Sequence, residues 1–270
     1  MRKFACLLLA LALLAPCAAR GELMDAALET APPIPLLCES AVLVEPESGQ
    51  ILFEQNADER RPVASVTKVM AILLALEALE AGRATLEDPV PVSQTAAGMG
   101  GSQVLLDAGE TLPFETLLKS MIVGSANDAT VAIGEYLYGS HQLFVDRMNE
   151  RAQELGMADT HFVNSTGLPA EGHYTTARDV ARMTVEMLKH PLYFEYSTIW
   201  LDSVIHESGR ETQLTNTNKM LKSYAGITGL KTGTTNGAGV CISASAVRDG
   251  MGLLAVVLGS PSSKERFASA

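Results

Sequence analysis

The order of apolar and polar residues predicts strands at the two ends of the chain. The segment SAVLVEPESGQILFEQN has two apolar runs around residues 45–49, and apolar runs joined by Pro, Ser and Gly are typical of a β-hairpin. Towards the other end, the sequence predicts three successive strands, GITGLKTGTT, GVCISASAVRD and MGLLAVVLGS, with RDGM as a tight turn between the last two. Strands at both ends favour one sheet that the N- and C-terminal segments build together.

The middle of the chain shows helical spacing instead. From Ser65 to about Ala81 the residues are apolar on every side, and a helix of that kind is expected at the centre of a fold. Further helices are predicted over residues 113–123, 126–138, 141–155 and 176–189. The pattern therefore predicts a sheet closed by the two ends of the chain, with a helical subdomain inserted between them.

The first residues follow the pattern of a secretory signal. Arg2 and Lys3 precede an apolar run over residues 4–14, and small residues follow up to Ala19, as at a cleavage site. The run is too short for a permanent membrane span. We expect a signal peptide over residues 1–19, an irregular leader over 20–39 and export from the cytoplasm, with no membrane anchor visible.

Composition and charge exclude several classes of function. The formal net charge is −11 and no basic block occurs, which argues against nucleic-acid binding. The histidines are scattered and form no metal-ligand pattern, so neither a metal nor a cofactor is expected. Beyond the signal peptide only Cys38 and Cys241 remain, and whether they pair stays open. An anionic substrate would need a local cation to overcome the acidic surface.

The first candidate for chemistry is an S-x-x-K pair formed by Ser65 and Lys68. Ser65 has a structural interpretation as a helix N-cap. Lys68, however, is followed by VMAILLALEAL, and a buried lysine must be paired or partly neutral. In the functional interpretation, Lys68 is the base that activates the Ser65 hydroxyl, and the free N–H groups of the helix start suit an oxyanion.

Two further motifs follow along the chain. Ser125 and Asn127 form S-x-N at the start of a predicted helix, where a capping role is the structural interpretation. A K-T-G-T segment, Lys231 to Thr234, lies on a predicted strand. Its structural interpretation is an exposed lysine on a strand that is followed by a turn. In the functional interpretation the strand edge pairs with an extended peptide, Lys231 meets its carboxylate, and Gly233 lets the substrate backbone approach.

S-x-x-K, S-x-N and K-T-G in this order are the signature set of penicillin-interacting serine enzymes. From about Ser40 onward the chain resembles the low-molecular-weight penicillin-binding proteins, the secreted serine-type D-alanyl-D-alanine carboxypeptidases. Other blocks that carry the resemblance are GSQVLLDAGETLPFETLLKSMIVGSANDA, FVNSTGL, HYTTARDVARM and TNTNKML. It implies an α+β, three-layer fold like that of the serine β-lactamases and DD-peptidases: an antiparallel five-stranded sheet flanked by helices, with an inserted all-helical subdomain.

The resemblance also implies a reaction and its catalytic residues. The substrate is a peptidoglycan stem pentapeptide ending in D-Ala-D-Ala, and β-lactams act as covalent inhibitors. Ser65 attacks the carbonyl of the penultimate D-Ala with Lys68 as base. Ser125 relays a proton to the leaving amine, and Asn127 hydrogen-bonds Lys68 and the substrate amide.

The K-T-G-T segment has the substrate-binding roles in the same resemblance. Lys231 and the hydroxyls of Thr232 and Thr234 hold the terminal carboxylate, and Gly233 allows the close approach. The backbone N–H groups of Ser65 and Thr234 form the oxyanion hole. Water then releases the shortened peptide without a metal.

Three alternatives stay open beside this interpretation. A class A β-lactamase of the same fold uses an additional Glu for deacylation, but MADTHFVNSTGL has none and ETQLTN at Glu211 comes too late in the chain. A non-catalytic cell-wall binding homologue keeps the fold without needing all three motifs. An endopeptidase attacks the same kind of carbonyl in a cross-link.

The end of the chain also departs from the resembling family. Its members continue past SPSSKERFASA with the rest of a helix and a further β-rich domain. We therefore expect residues 40–270 to form the catalytic domain, with the C-terminal helix truncated.

Overall fold

The computed structural model describes residues 35–270, so the expected signal peptide and most of the leader lie outside the described residues. In chain order, the strands are β1 (Ser40–Glu45), β2 (Gln50–Gln55), β3 (Pro89–Pro91), β4 (Thr111–Pro113), β5 (Leu201–Ile205), β6 (Glu211–Thr215), β7 (Ile227–Gly229), β8 (Thr232–Thr235), β9 (Gly239–Arg248) and β10 (Met251–Ser260). The α-helices are α1 (Lys68–Glu80), α2 (Gln94–Ala97), α3 (Phe114–Val123), α4 (Asn127–Tyr138), α5 (His141–Glu154), α6 (Ala177–Met187), α7 (Pro191–Ser197) and α8 (Ser263–Ser269).

The central sheet is antiparallel and joins both ends of the described chain. Its order is β2-β1-β10-β9, and β7 and β8 both pair with β9 on its far side. The expected five-stranded sheet is thus confirmed, with its last position filled by two short strands. The turn between β9 and β10 has positive φ at Asp249 and Gly250, which matches the twist of a tight hairpin.

One predicted strand, GITGLKTGTT, was wrong as a single element. Gly229 has a φ of 117° and Leu230 a φ of 93°, values that extended backbone does not adopt. The chain therefore leaves β9 after β7 and rejoins it at Thr232, opposite Ile242. Lys231 lies in the break between the two strands and not on a continuous strand.

Helix α1 is the centre of the molecule, as its composition predicted. Ten of its residues are buried, and it contacts α3, α4, α5 and α6. The predicted start at Ser65 was wrong, because a 3₁₀ turn over Ala64–Thr67 precedes it and the α-helix begins at Lys68. Ser65 is therefore inside that turn and is not the N-cap of α1.

The layers follow from the two faces of the sheet. Helix α6 packs on β1 and β10, on the same side as α1, whereas α8 contacts β9 and β10 from the other side. Cys241 belongs to the larger core and Cys38 packs against the smaller one. Both thiols are free, and the sheet lies between them. Within residues 35–270, no helix is long and apolar enough to cross a membrane.

Two small antiparallel pairs of strands, β3–β4 and the hairpin β5–β6, were not predicted from the sequence. The β5–β6 hairpin lies against the segment before α3, where the Arg210 guanidinium donates to Asp107 and His206 pairs with Glu110. Those contacts join residues about a hundred positions apart in the chain, so local spacing does not reveal them.

Candidate active site

The Ser65 hydroxyl and the Lys68 amine lie side by side at the start of α1. Lys68 Nζ is 2.9 Å from Ser65 Oγ and donates a second hydrogen bond of 2.9 Å to the Thr166 carbonyl. The 3₁₀ turn helps, because at three residues per turn positions i and i+3 eclipse one another. Ser65 is half-buried, whereas Lys68 is 0% exposed.

Close backbone packing holds the turn that carries Ser65. Ala64 has a φ of 49°, in the left-handed region that costs a non-glycine residue free energy. A Cβ at Gly167 would lie 1.8 Å from the Ala64 carbonyl oxygen, and one at Gly233 would lie 2.8 Å from Ser65 N. Only glycine fits at both positions, and together they press the turn into place from two sides.

Burial sets the protonation of Lys68. The pKa of its amine lies well below the ordinary value, chiefly because burial penalises the charged form and then because of the nearby charge of Lys231. The carboxylate of Asp128 opposes this effect. A lysine with a strongly depressed pKa has a neutral fraction that can accept a proton near neutral pH.

Ser125 and Asn127 lie at the junction between α3 and α4, and both of these helices pack on α1, which carries Lys68. Ser125 has a φ of 59°, and its hydroxyl is buried with no hydrogen-bond partner among the described residues. Asn127 Nδ2 donates to the Gly100 carbonyl at 2.6 Å. The structure does not show the expected hydrogen bond between Asn127 and Lys68: Lys68 donates to Ser65 and Thr166, and the Asn127 carbonyl oxygen has no partner among the described residues.

Asp128 is a further residue of this loop attachment, and the sequence analysis did not single it out. It is buried, and its carboxylate accepts hydrogen bonds from the backbone N–H groups of Val104 and Leu106. The loop before α3 is thereby fixed to the first turn of α4. The position of Asp128 directly after the S-x-N motif is the sequence feature that could have identified it.

The K-T-G-T segment forms another wall of the site. Lys231 is 2% exposed and donates to the Thr232 carbonyl at 3.1 Å. Burial, followed by the charge of Arg266, lowers its pKa to about 7. The Thr232 hydroxyl donates to Thr217, whereas Thr234 is exposed. Because Gly233 packs on the nucleophile turn, the segment places Lys231 and Thr234 beside Ser65.

His173 links two parts of the site that are distant in sequence. The Val163 N–H donates to its Nδ1, which leaves Nε2 to donate to the Thr67 hydroxyl at 2.9 Å. Burial, and then the neighbouring His161, lower its pKa to about 4, so the ring is neutral. Thr176 caps α6, and no local sequence pattern indicates the hydrogen bond from His173 to the nucleophile turn.

Arg266 is the second residue that the sequence analysis missed. It lies on α8 and is 5% exposed, and it donates to the Cys241 carbonyl. Its charge contributes to the lowered pKa of Lys231. Nothing in SPSSKERFASA indicated this, because the approach depends on how α8 packs on the sheet.

Comparisons with known proteins agree with this geometry. Residues 27–262 match the profile of the Peptidase_S11 family, described as D-alanyl-D-alanine carboxypeptidase. The chain is 42% identical over 230 residues to the D-alanyl-D-alanine carboxypeptidase DacF of Bacillus subtilis, covering 85% of this chain and 59% of the relative. The chain thus spans well under two thirds of that relative.

Solved structures show the same fold. Penicillin-binding protein 6B of Escherichia coli superposes with a TM-score of 0.82 at 33% identity, over 89% of this chain and 76% of the other. A single-residue mutant of the Streptomyces K15 DD-transpeptidase superposes with a TM-score of 0.82 at 25% identity, over 88% of this chain and 96% of the other.

Proposed function

Because the chain belongs to the peptidase S11 family of D-alanyl-D-alanine carboxypeptidases, we propose that it removes the terminal D-Ala from peptidoglycan stem pentapeptides through an acyl-enzyme. The observation that carries the proposal is the hydrogen bond of 2.9 Å between Lys68 Nζ and Ser65 Oγ. A buried lysine with a depressed pKa beside a half-buried serine is an activated nucleophile.

Acylation is the first step. Neutral Lys68 takes the proton of the Ser65 hydroxyl, whose oxygen forms a bond to the carbonyl carbon of the penultimate D-Ala. The N–H groups of Ser65 and Thr234 stabilise the resulting oxyanion, and the packing of Gly233 on Ser65 N supports this pairing. The C–N bond then breaks, and the Ser125 hydroxyl passes the proton to the departing D-Ala amine.

Substrate binding uses the groups around Lys231. The terminal carboxylate meets the Lys231 amine and the hydroxyls of Thr232 and Thr234. A bound carboxylate favours the charged form of Lys231, which supplies a local cation in a chain with a net charge of −11. The unpaired, buried Ser125 hydroxyl and Asn127 carbonyl oxygen support the proposal, since a substrate amide offers them partners.

Deacylation by water completes the reaction on the peptide. The segment that contacts Lys68, residues 164–168, contains no carboxylate, and class A β-lactamases use such a group to activate the hydrolytic water. We therefore expect β-lactams to acylate Ser65 and to remain attached. Since the substrate lies outside the cytoplasm, the proposal includes export, which the signal sequence supports.

Fluorescent penicillin labelling tests the nucleophile. We expect the wild type and Ser208→Ala, a control at an exposed hairpin tip, to be labelled, and Ser65→Ala to remain unlabelled. Labelling that survives in Ser65→Ala would rule out the assignment, and absence of labelling in the wild type would rule out the acyl-enzyme.

Product analysis separates carboxypeptidase action from related activities. We expect free D-Ala from a pentapeptide, in amounts equal to the shortened peptide. The K15 relative is named a DD-transpeptidase, and an endopeptidase would cleave a cross-linked dimer. A product joined to an added amine, or cleavage of the dimer without D-Ala release, would favour those activities instead.

A further inference from the structure

The turn over residues 164–168 supplies a hydrogen-bond acceptor to the amine of Lys68. Lys68 Nζ donates to the Thr166 carbonyl at 2.9 Å, and its other bond within the described part of the chain is the one to Ser65 Oγ. Thr166 is buried, so water does not compete for this carbonyl. None of the roles proposed above accounts for the orientation of the amine.

The Thr166 carbonyl fixes the direction of a neutral amine. A neutral lysine has two N–H groups and one lone pair, whereas a carbonyl oxygen only accepts. When one N–H is bonded to Thr166, the amine can turn its lone pair towards the Ser65 hydroxyl, which then donates. A displaced carbonyl would leave the amine free to rotate, and a base out of line with its proton loses rate. Efficient acylation therefore depends on where this carbonyl lies.

One side chain holds the turn that carries this carbonyl. Asn164 Oδ1 accepts from the Thr166 N–H at 3.1 Å, from the Thr166 hydroxyl at 3.1 Å and from the Gly167 N–H at 2.7 Å. Asn164 Nδ2 donates to the Leu168 carbonyl at 2.9 Å. An amide side chain can do this because it has an acceptor and donors on one short group. Within residues 35–270, no other group accepts from these two backbone N–H groups.

We propose that Asn164 is a positioning residue for the base: it closes the 164–168 turn and so holds the Thr166 carbonyl where it orients the Lys68 amine towards Ser65. Asn164 itself bonds neither Ser65 nor Lys68 and acts through the backbone. The inference rests on the proposed acyl-enzyme function, because only a base that takes the Ser65 proton needs this orientation.

Stopped-flow acylation of Asn164→Ala by fluorescent penicillin, measured across pH, tests the proposal. We expect the limiting acylation rate to fall about tenfold to a hundredfold, as for a misaligned reaction centre. The dissociation constant of the non-covalent complex should stay unchanged, because the variant leaves the K-T-G-T segment intact. A role of Asn164 in folding alone would lower the free energy of unfolding without this division between rate and binding.

The same profile gives a second readout at its acidic limb, where acylation rises as Lys68 loses its proton. A carbonyl acceptor stabilises the ammonium form. When Asn164→Ala displaces the Thr166 carbonyl, the pKa of Lys68 should fall further, and the acidic limb should move to lower pH. A loosened fold that leaves the Lys68 contact in place would not move this limb.

Asn164→Asp separates the two ends of the side chain. Its carboxylate keeps the acceptor for the two N–H groups of the turn and loses the donor to Leu168. We expect faster acylation than in Asn164→Ala, and an acidic limb at higher pH than in the wild type, because a nearby negative charge favours the ammonium form of Lys68. The other charges that act on this amine, Lys231 and Asp128, are the same in all variants.

Asn149→Ala is the matched control. Asn149 also bonds the backbone with both ends of its amide, since its Oδ1 accepts from the Phe162 N–H and its Nδ2 donates to the Phe162 and Val145 carbonyls. These bonds hold the chain two residues before Asn164 and do not reach Thr166. We expect a comparable decrease in the free energy of unfolding in urea, with the acylation rate and the acidic limb of the wild type.

The outcomes separate the inference from the function on which it rests. If Asn164→Ala is acylated at the wild-type rate, or more slowly with an unmoved acidic limb, the inference is overturned. Should that variant fail to fold, an unmoved acidic limb in Asn164→Asp overturns it as well, and so does an equal displacement of the limb in Asn149→Ala. In each of these cases the wild type is still acylated and the proposed function stands. If the wild type is not acylated at any pH, the proposed function itself fails.

Discussion

Three residues with strained backbones lie at the three motifs. Ala64 precedes Ser65, Ser125 belongs to S-x-N, and Leu230 precedes Lys231; their φ angles are 49°, 59° and 93°. Such conformations cost about 1–3 kcal/mol each and persist where the surrounding structure enforces them. The functional side chains are therefore placed by packing, and their local sequence alone does not favour these positions.

The pH dependence of acylation follows from the two buried lysines. Lys68 must be neutral to accept a proton, so acylation rises as pH increases through its depressed pKa. Lys231 must be charged to hold a carboxylate, and its pKa of about 7 makes acylation fall above neutrality. We expect a bell-shaped profile for the second-order rate constant of penicillin acylation, with both limbs well below pH 10.5.

Lys231→Arg is the control for this profile. Arginine stays charged throughout, so the variant should lose the alkaline limb and keep the acidic one. A wild-type rate that still increases between about pH 8 and pH 10 would contradict the assignment of both lysines.

His173 makes the protein sensitive to acid. Its pKa is about 4 in the folded state and about 6.5 when unfolded, so the unfolded state binds more protons between those values. Stability is therefore lost as pH falls from 6.5 towards 4. Between about pH 7 and pH 4.5 we expect this group to lower the free energy of unfolding by about 2–3 kcal/mol.

Urea unfolding of the wild type and His173→Gln at those two pH values measures the effect. The glutamine keeps a polar group at the site but does not titrate. The free energy of unfolding of the variant should therefore fall less on acidification than that of the wild type, by about 2–3 kcal/mol. Equal losses in both proteins would show that His173 is not a major acid-sensitive group.

At the scale of elements, two short irregular segments decide the geometry of the site. The 3₁₀ turn before α1 aligns Ser65 with Lys68. The break between β7 and β8 sets the position of Lys231, whose carbonyl still accepts a hydrogen bond from the Ser243 N–H of β9. Gly167 and Gly233 let the backbone pack directly on that turn. A regular helix and a continuous strand, as predicted from the sequence, would not provide the same contacts.

Gly167→Ala tests the packing of these elements. The new Cβ would overlap the Ala64 carbonyl, so the nucleophile turn must move. We expect penicillin acylation to fall about a hundredfold, as for a displacement of about 1 Å at a reaction centre. Thermal unfolding and labelling kinetics are the measurements.

Gly109→Ala is the matched control, because Gly109 also has a positive φ but nothing lies within 4 Å of a Cβ built there. It should show the backbone strain alone, about 1–2 kcal/mol, with normal acylation. If the two variants acylate at the same rate, contact between Gly167 and Ala64 does not position the nucleophile.

At the scale of the whole molecule, α1 connects the helices of the insertion to the side of the sheet covered by α6. Leu73, Leu74 and Leu76 of this helix are almost completely inaccessible, so stability and the site depend on the same helix. We expect Leu74→Ala to lower the free energy of unfolding by about 3–5 kcal/mol. Leu201→Ala, at a residue that is 62% exposed, should change it by less than about 0.5 kcal/mol.

Urea unfolding at neutral pH compares these two variants. A similar decrease in the free energy of unfolding in both variants would contradict the central position of α1. A second transition in Leu74→Ala would instead show that the sheet and the helical insertion unfold separately.

The sequence by itself determined the main helices and the long strands, and it indicated the candidate residues for the chemistry. The apolar run of α1, the first hairpin, strands β9 and β10 and the turn at Asp249 all follow from local spacing, and the structure confirms them. The three motifs were recognisable for the same reason, since each is a short run of neighbouring residues. The catalytic and binding roles of those residues stay predictions until the variants are measured.

Only the tertiary structure decided how those residues meet. Lys68 donates to the Thr166 carbonyl, 98 positions away, and His173 bonds Thr67 across 106 positions. The 3₁₀ turn and the break at Leu230 also depend on segments that are distant in the chain. Residue spacing indicates the periodicity of one element. These features arise from packing between elements, and the spacing within one element does not indicate which other element packs on it.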